Sequence, residues 1–330
     1  MGCPRTAHTV RRNFMQTTGL KSEKSATKKN RRFLRYTPVY LMMLPGLIYM
    51  LINNYIPMAG IIISFKKYNV RSGILFSPWN GLDNFKYLFA TEDAFIITRN
   101  TIFYNLAFIV INAILGVMLA IFICDTVNQH LKKLYQSAIL LPFLMSWVIV
   151  GYIAYAFLSN ENGIMNNSIL PLLNMSPVSW YNSPQYWPFI ILLVNTWKGI
   201  GYGTLIYIST INGIDPTYYE AARLDGATRL QQIRHITLPF LIPSVITLAL
   251  LSVGRIMNAD FGLFYQATRN SGMLYSTTNV IDTYVYRGLM ENANLGMASA
   301  AGAYQSVIGF LLVIAANFTV KKVSRENALF

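Results

Sequence analysis

A chain of 330 residues that is 54% hydrophobic and 12% charged departs from soluble domains, in which about a quarter of the residues are charged. The apolar residues fall in runs rather than amphipathic stripes, which makes this an integral membrane protein and overrides the two soluble domains that length alone would allow. The net charge of +14 would suit a nucleic-acid partner, but its distribution along the chain excludes one.

Residues 1 to 37 hold ten Lys or Arg (Arg5, Arg11, Arg12, Lys21, Lys24, Lys28, Lys29, Arg31, Arg32 and Arg35) against one acid, Glu23. A basic tail ahead of a first span is a topogenic signal that keeps that end in the cytoplasm; it is expected to be disordered. The stretch VRRNFMQ within it is close to a twin-arginine export signal, but the residues after Gln16 are polar and no apolar region follows.

About 20 apolar residues are needed to cross the hydrocarbon core. Six segments qualify, at about 38–65, 100–123, 134–158, 186–211, 239–259 and 297–320. The first is interrupted by Pro45, Asn53, Asn54 and Pro57 and is expected to be kinked or tilted, with Lys66 and Lys67 ending it. The chain thus divides into a basic tail (1–37), a first membrane helix with an outer loop (38–99), a five-span core (100–320) and a C-terminal tail (321–330).

Six spans put both termini on one side. With the N-terminus inside, the inner segments collect the ten cations of the tail with Lys132, Lys133, Arg223, Arg229, Arg234, Lys321, Lys322 and Arg325. The outer segments keep Lys66, Lys67, Arg71, Lys86, Arg99, Arg269 and Arg287, while Lys198 and Arg255 lie within spans. This bias favours a multi-pass cell-membrane protein with both termini cytoplasmic. In the outer loop at 159–185 and just after it, Trp180, Tyr181, Tyr186 and Trp187 are expected to form a membrane-interface belt.

The two cysteines, Cys3 and Cys124, are too few for a disulfide framework, and His8, His130 and His235 have no partners at ligand spacing, so neither a metal nor a cofactor is expected.

The connection between the fourth and fifth spans (212–238) is polar and richly punctuated. Asp215 and Pro216 form an N-cap with proline at the first helical position, and the helix TYYEAARL follows. Gly226 supplies the permissive backbone that ends it. Thr228 and Gln231 form a capping box for a second helix, RLQQIRHI, and Pro239 marks the return to the membrane. A protruding helix pair with small Ala221 and Ala222 on its surface has the character of a docking knob.

Glu220-Ala221-Ala222, then Asp225-Gly226-Ala227, then Ile236-x-Leu238-Pro239, resembles the EAA motif of ABC importer permeases. GLDNFKYLF followed by RNTIFYNLAF resembles the start of the permease core in MalF-like carbohydrate importers. VGRIMNADFGLFYQATRN with VIDTYVYRGLM is similar to the LplB-like oligosaccharide permease subfamily. The resemblance covers all but residues 1 to 30.

It implies an all-α membrane protein with six transmembrane helices in the MetI/MalF-like permease fold, with a cytoplasmic coupling helix. It also implies a second permease subunit, forming a heterodimer, an ABC ATPase dimer bound through Glu220, Ala221, Ala222, Asp225, Gly226 and Ala227, and an extracellular solute-binding lipoprotein that delivers a sugar or oligosaccharide. The sequence has no GxxxxGK[ST] phosphate loop, so ATP hydrolysis is expected of a partner.

Two other readings stay open: an ion-coupled secondary transporter, for which internal repeats and midplane acids are missing, and an ABC permease for a non-sugar solute. Asn195, Trp197 and Lys198 fall mid-membrane in the fourth span, where a lysine must face a cavity or a partner. Together with Arg255, Asn258 and Asp260, toward the outer end of the fifth, they are the candidate substrate pathway. For Arg255 and Asp260, simple interfacial positions remain an alternative.

Overall fold

The computed structural model describes residues 36–323. The basic tail up to residue 35, and most of the C-terminal tail, lie outside the described residues. Those that are described form two compact units, divided after Gly60.

The first unit is most of helix α1, Tyr36–Phe65, which is helical throughout and passes through a π-helical turn at Leu51–Tyr55 and a 3-10 stretch at Ala59–Phe65. Asn53 and Asn54 lie in the π turn and Pro57 in the short α-helical turn between the two irregular stretches.

The second unit is a helical bundle. A surface helix α2 (Asp83–Ala90) leads to the long span α3 (Asp93–Asp125). Asn128 caps α4 (Gln129–Leu144) by accepting from the His130 amide at 2.9 Å. Ser146 caps α5 (Trp147–Leu158). Then come α6 (Trp187–Asn212), α7 (Pro216–Leu224), α8 (Arg229–Val253), α9 (Ile281–Met290) and α10 (Leu295–Val323). Among the described residues the only β pairing is a bridge between Lys66 and Trp79.

Five helices are long and apolar enough to cross a membrane, as expected: α1, α3, α6, α8 and α10. The segment expected as one span at 134–158 is instead the pair α4 and α5, bent by 97° at Met145 and Ser146. Pro142 sits in the last turn of α4, and a serine N-cap restarts the chain in a new direction.

The fifth span also differs. It is expected at 239–259, with Pro239 marking its start after the second polar helix. Helix α8 instead starts at Arg229, runs unbroken through a π-helical turn at Ile233–Thr237, and stops at Val253. The π turn lies directly before Pro239, which lacks the N–H that a regular helix would use at that position.

Helices α3 and α6 pack along their length, with α4 and α8 against α6. One apolar cluster joins Ile123, Tyr207, Ile208 and Leu241 from α3, α6 and α8. Another gathers Tyr104, Trp187, Ile191, Leu263 and Phe264 at the opposite end. Many apolar side chains elsewhere on the spans, such as Phe103, Leu106 and Val110, are exposed, as suits a surface solvated by lipid tails.

The aromatic belt expected at 180–187 is mostly interior. Trp187 is fully buried and donates its indole N–H to the Trp180 carbonyl at 2.8 Å, and Trp180 donates to Asn166 Oδ1 at 3.0 Å. With both indole donors satisfied inside the protein, these rings knit the loop rather than anchor it at a headgroup layer. Tyr186 stays exposed.

Candidate functional site

The candidate residues centre on two places: the helix pair α7–α8 at one end of the bundle, and a cavity beside α6 and the end of α8.

The helix pair is built by local capping. Asp215 accepts from the Thr217 amide at 2.9 Å, which starts α7 and holds the Asp215 carboxyl below its ordinary range. Gly226 has φ +76°, the left-handed region that a glycine enters without a Cβ clash. The Ala227 amide closes the turn on the Ala222 carbonyl at 2.8 Å. Thr228 and Gln231 cap each other reciprocally, as the sequence predicts.

Two contacts lock this element. Tyr219 Oη and Thr237 Oγ1 share a hydrogen bond at 2.9 Å, which ties α7 to α8. Arg229 donates Nε to Asp125 Oδ2 at 3.1 Å and also pairs through Nη2 with Oδ1, which ties α8 to the end of α3.

The outward face is left open. Glu220, Ala221, Asp225 and Gly226 are exposed, and Ala222 and Ala227 are half-buried. Leu224 is 89% exposed and Leu230 74% exposed. The Glu220 carboxylate makes no hydrogen bond or ion pair with a described residue. Ala222, Asp225, Gly226 and Ala227 line a depression of about 450 Å³ with Gln231 and His235. Leu224 and Leu230 are thus large apolar side chains held in the open on the same element as this small-residue depression.

The cavity measures about 740 Å³. Four of the six pathway residues line it: Asn195, Arg255, Asn258 and Asp260. Trp197 and Lys198 do not. Trp197 is exposed, and the half-buried Lys198 turns its ammonium to the Phe143 carbonyl at 3.0 Å, over the rings of Phe143 and Trp147.

Trp147 in turn donates its indole N–H to Asp260 Oδ2 at 2.8 Å. It packs so tightly on Gly262 that a Cβ there would lie 2.2 Å from the ring. The corner between α4 and α5, the middle of α6 and the end of α8 are joined at this point.

The cavity also contains residues that sequence reading missed: Asn105 and Asn112 of α3, Tyr202 and Tyr207 of α6, and Ser252 of α8. Asn112 Oδ1 is buried without a hydrogen-bond partner. Two asparagines seven residues apart in an apolar span lie on one helix face, and that spacing was the available signal.

Membrane-length helices, with a capped polar helix pair set before the second-last span, are the architecture of importer permease subunits. The chain belongs to the binding-protein-dependent transport system inner membrane component family, whose model matches residues 32–325. It is therefore an inner-membrane permease component of an ABC importer and not its ATPase.

It is 32% identical over 289 residues to protein LplB of Bacillus subtilis (strain 168), covering 88% of this chain and 90% of that one. It is 34% identical over 294 residues to the polygalacturonan/rhamnogalacturonan transport system permease protein YteP of the same organism, covering 88% and 89%. Among solved structures, a chain of a bacterial ABC transporter involved in the import of the acidic polysaccharide alginate superimposes with a TM-score of 0.82 at 30% identity, covering 90% of this chain and 99% of that chain. A second structure of a bacterial alginate transporter, in complex with its pentasaccharide-bound periplasmic protein, gives 0.80 at 30% identity, covering 89% and 97%.

Proposed function

We propose that the chain forms half of the pore of an ATP-driven importer for a sugar or oligosaccharide, with the α7–α8 pair and both termini in the cytoplasm. A second permease subunit completes the pore as a heterodimer. An ABC ATPase dimer docks on the helix pair, and an extracellular solute-binding lipoprotein delivers the solute. The asparagines, tyrosines and serine around the cavity suit a hydroxyl-rich solute, and Asn195, Arg255, Asn258 and Asp260 line its route. Trp197 stands outside that route, and Lys198 braces the corner beside it through Phe143 and Trp147.

The observation that carries the reading is the open face of α7, where Glu220 stands unpaired beside Ala221, Ala222 and the exposed Leu224. Glu220 is placed to form a charge-assisted hydrogen bond with a basic residue of an ATPase groove. Truncating one partner of such an interface pair costs on the order of 2–5 kcal/mol. Glu220→Lys is therefore expected to reduce ATPase co-purification and solute-stimulated ATP hydrolysis in the assembled complex, while the permease still inserts. Full retention of both would remove the docking role. The orientation is tested separately: Arg325→Cys should be shielded from impermeant thiol reagents in intact cells and Asn182→Cys should label, and the reverse pattern would invert the topology.

A further inference from the structure

Helix α8 stops at Val253, inside the span expected from sequence, and residues 254–260 turn instead of continuing. Irregular backbone at membrane depth survives where protein groups satisfy it or where it lines a cavity. Here both hold. Four consecutive backbone groups are taken up by side chains from three other helices. Asn105 of α3 donates Nδ2 to the Ile256 carbonyl at 3.0 Å and to the Asn258 carbonyl at 3.3 Å. Gln305 of α10 donates Nε2 to the Met257 carbonyl at 2.8 Å. Asp282 of α9 accepts the Ala259 amide at 2.7 Å, and its two oxygens also receive Gln305 Nε2 at 3.3 Å.

The grip sorts the turn into two faces. Ile256 and Met257 are buried away from the cavity, while Arg255, Asn258 and Asp260 are exposed and line it, with the buried Ala259 at its edge. A slip of one residue would place Arg255 in the apolar cluster and Met257 in the cavity. Apolar packing of Ile256 and Met257 resists the slip, and the four hydrogen bonds fix the register that packing alone leaves loose.

We propose that Asn105, Asp282 and Gln305 are positioning residues that clamp this turn in register and so present Arg255, Asn258 and Asp260 to the solute. The proposal rests on the reading of the cavity as the solute route, and it assigns the three side chains a task although Asp282 and Gln305 do not line that cavity. Asp282 acts as an acceptor for two donors on different elements. An asparagine there keeps one oxygen for the Ala259 amide, whereas a leucine keeps none.

The test separates the clamp from the route. In complexes reconstituted with the partner permease, ATPase and binding protein, Asn258→Cys is introduced with Cys3 and Cys124 replaced by serine. Its labelling rate by a charged methanethiosulfonate is then measured. Gln305→Leu and Asp282→Leu are expected to change that rate at least fivefold, leaving a cysteine at Asn182 unaffected, while Asp282→Asn stays within twofold. With Asn258 restored, the leucine variants should lose at least fivefold in solute moved per ATP hydrolysed, and Asp282→Asn should keep it. If a leucine variant fails to assemble, Gln305→Ala removes the same donor from outside the cavity without adding volume and is read the same way. Unchanged labelling in assembled leucine variants overturns the clamp. Changed labelling with unchanged transport per ATP overturns the cavity as the route, and with it the positioning role.

Discussion

The Lys198 ammonium donates to the Phe143 carbonyl at 3.0 Å, joining the midpoint of one span to the corner where another turns by 97°. A charge in the middle of an apolar helix needs a polar partner, and a helix that ends in the membrane leaves carbonyls that need a donor. Each need answers the other. The cation also lies 4.9 Å from the centre of the Trp147 ring, whose indole N–H is held by Asp260.

Lys198→Met is expected to destabilise the purified complex by about 1.5–3 kcal/mol, the range for a hydrogen bond to a charged group. Lys198→Arg keeps a donor and a cation over the ring and should retain most of that stability. Thermal unfolding in detergent, followed by loss of monodisperse complex, checks both. A Lys198→Met melting curve identical to the parent would show that the corner holds without this contact.

The Asp125–Arg229 pair is half exposed, with side chains 31% and 49% accessible, so solvent screens it. A double-mutant cycle with Asp125→Asn and Arg229→Gln should return a coupling of about 0.2–1 kcal/mol that shrinks as salt rises. The larger effect is expected in coupling, because the pair anchors the first turn of α8 to α3. Solute-stimulated ATP hydrolysis should fall in either single variant while basal hydrolysis holds. A coupling energy insensitive to salt would contradict the exposed geometry.

At Gly226 nothing lies within 4 Å of where a Cβ would stand, so the cost of substitution is backbone strain alone. A left-handed conformation costs an ordinary residue about 1–2 kcal/mol, asparagine less and a β-branched residue more. Loss of solute-stimulated ATP hydrolysis should therefore rank Gly226→Asn, then Gly226→Ala, then Gly226→Val, with membrane insertion unchanged in all three. An equal effect for all three would mean that the turn tolerates a change of φ.

The parts of this fold that were legible in sequence are those governed by local rules. Asp215 with Pro216, Gly226, and Thr228 with Gln231 each act within a few residues, and all three punctuation marks fall where expected. The membrane-length runs were equally plain, because lipid tolerates few polar groups wherever the run lies. What stayed hidden depends on distant partners. The break at Met145 and Ser146 is hard to see because hydropathy is blind to direction. The early stop of α8 at Val253 is invisible for a different reason. Its compensating groups, Asn105, Asp282 and Gln305, lie on three other helices, and no window along the chain contains them together. Four of the candidate pathway residues meet in one cavity, while Lys198 finds its partner in a backbone carbonyl that no residue pattern announces.

The continuity of α8 through Pro239 has a mechanical consequence. A helix of 25 residues is about 37 Å long at 1.5 Å per residue. One end carries the capped knob, and the other ends at the turn that displays Arg255, Asn258 and Asp260. A rigid rod pivoting near its knob by about 5° carries its far tip roughly 3 Å, on the same length scale. That is comparable to the hydrogen-bond lengths by which Asn105, Asp282 and Gln305 hold the tip. Any tilt of the knob would therefore be felt at the tip, and the four far-end hydrogen bonds are the contacts it would strain first.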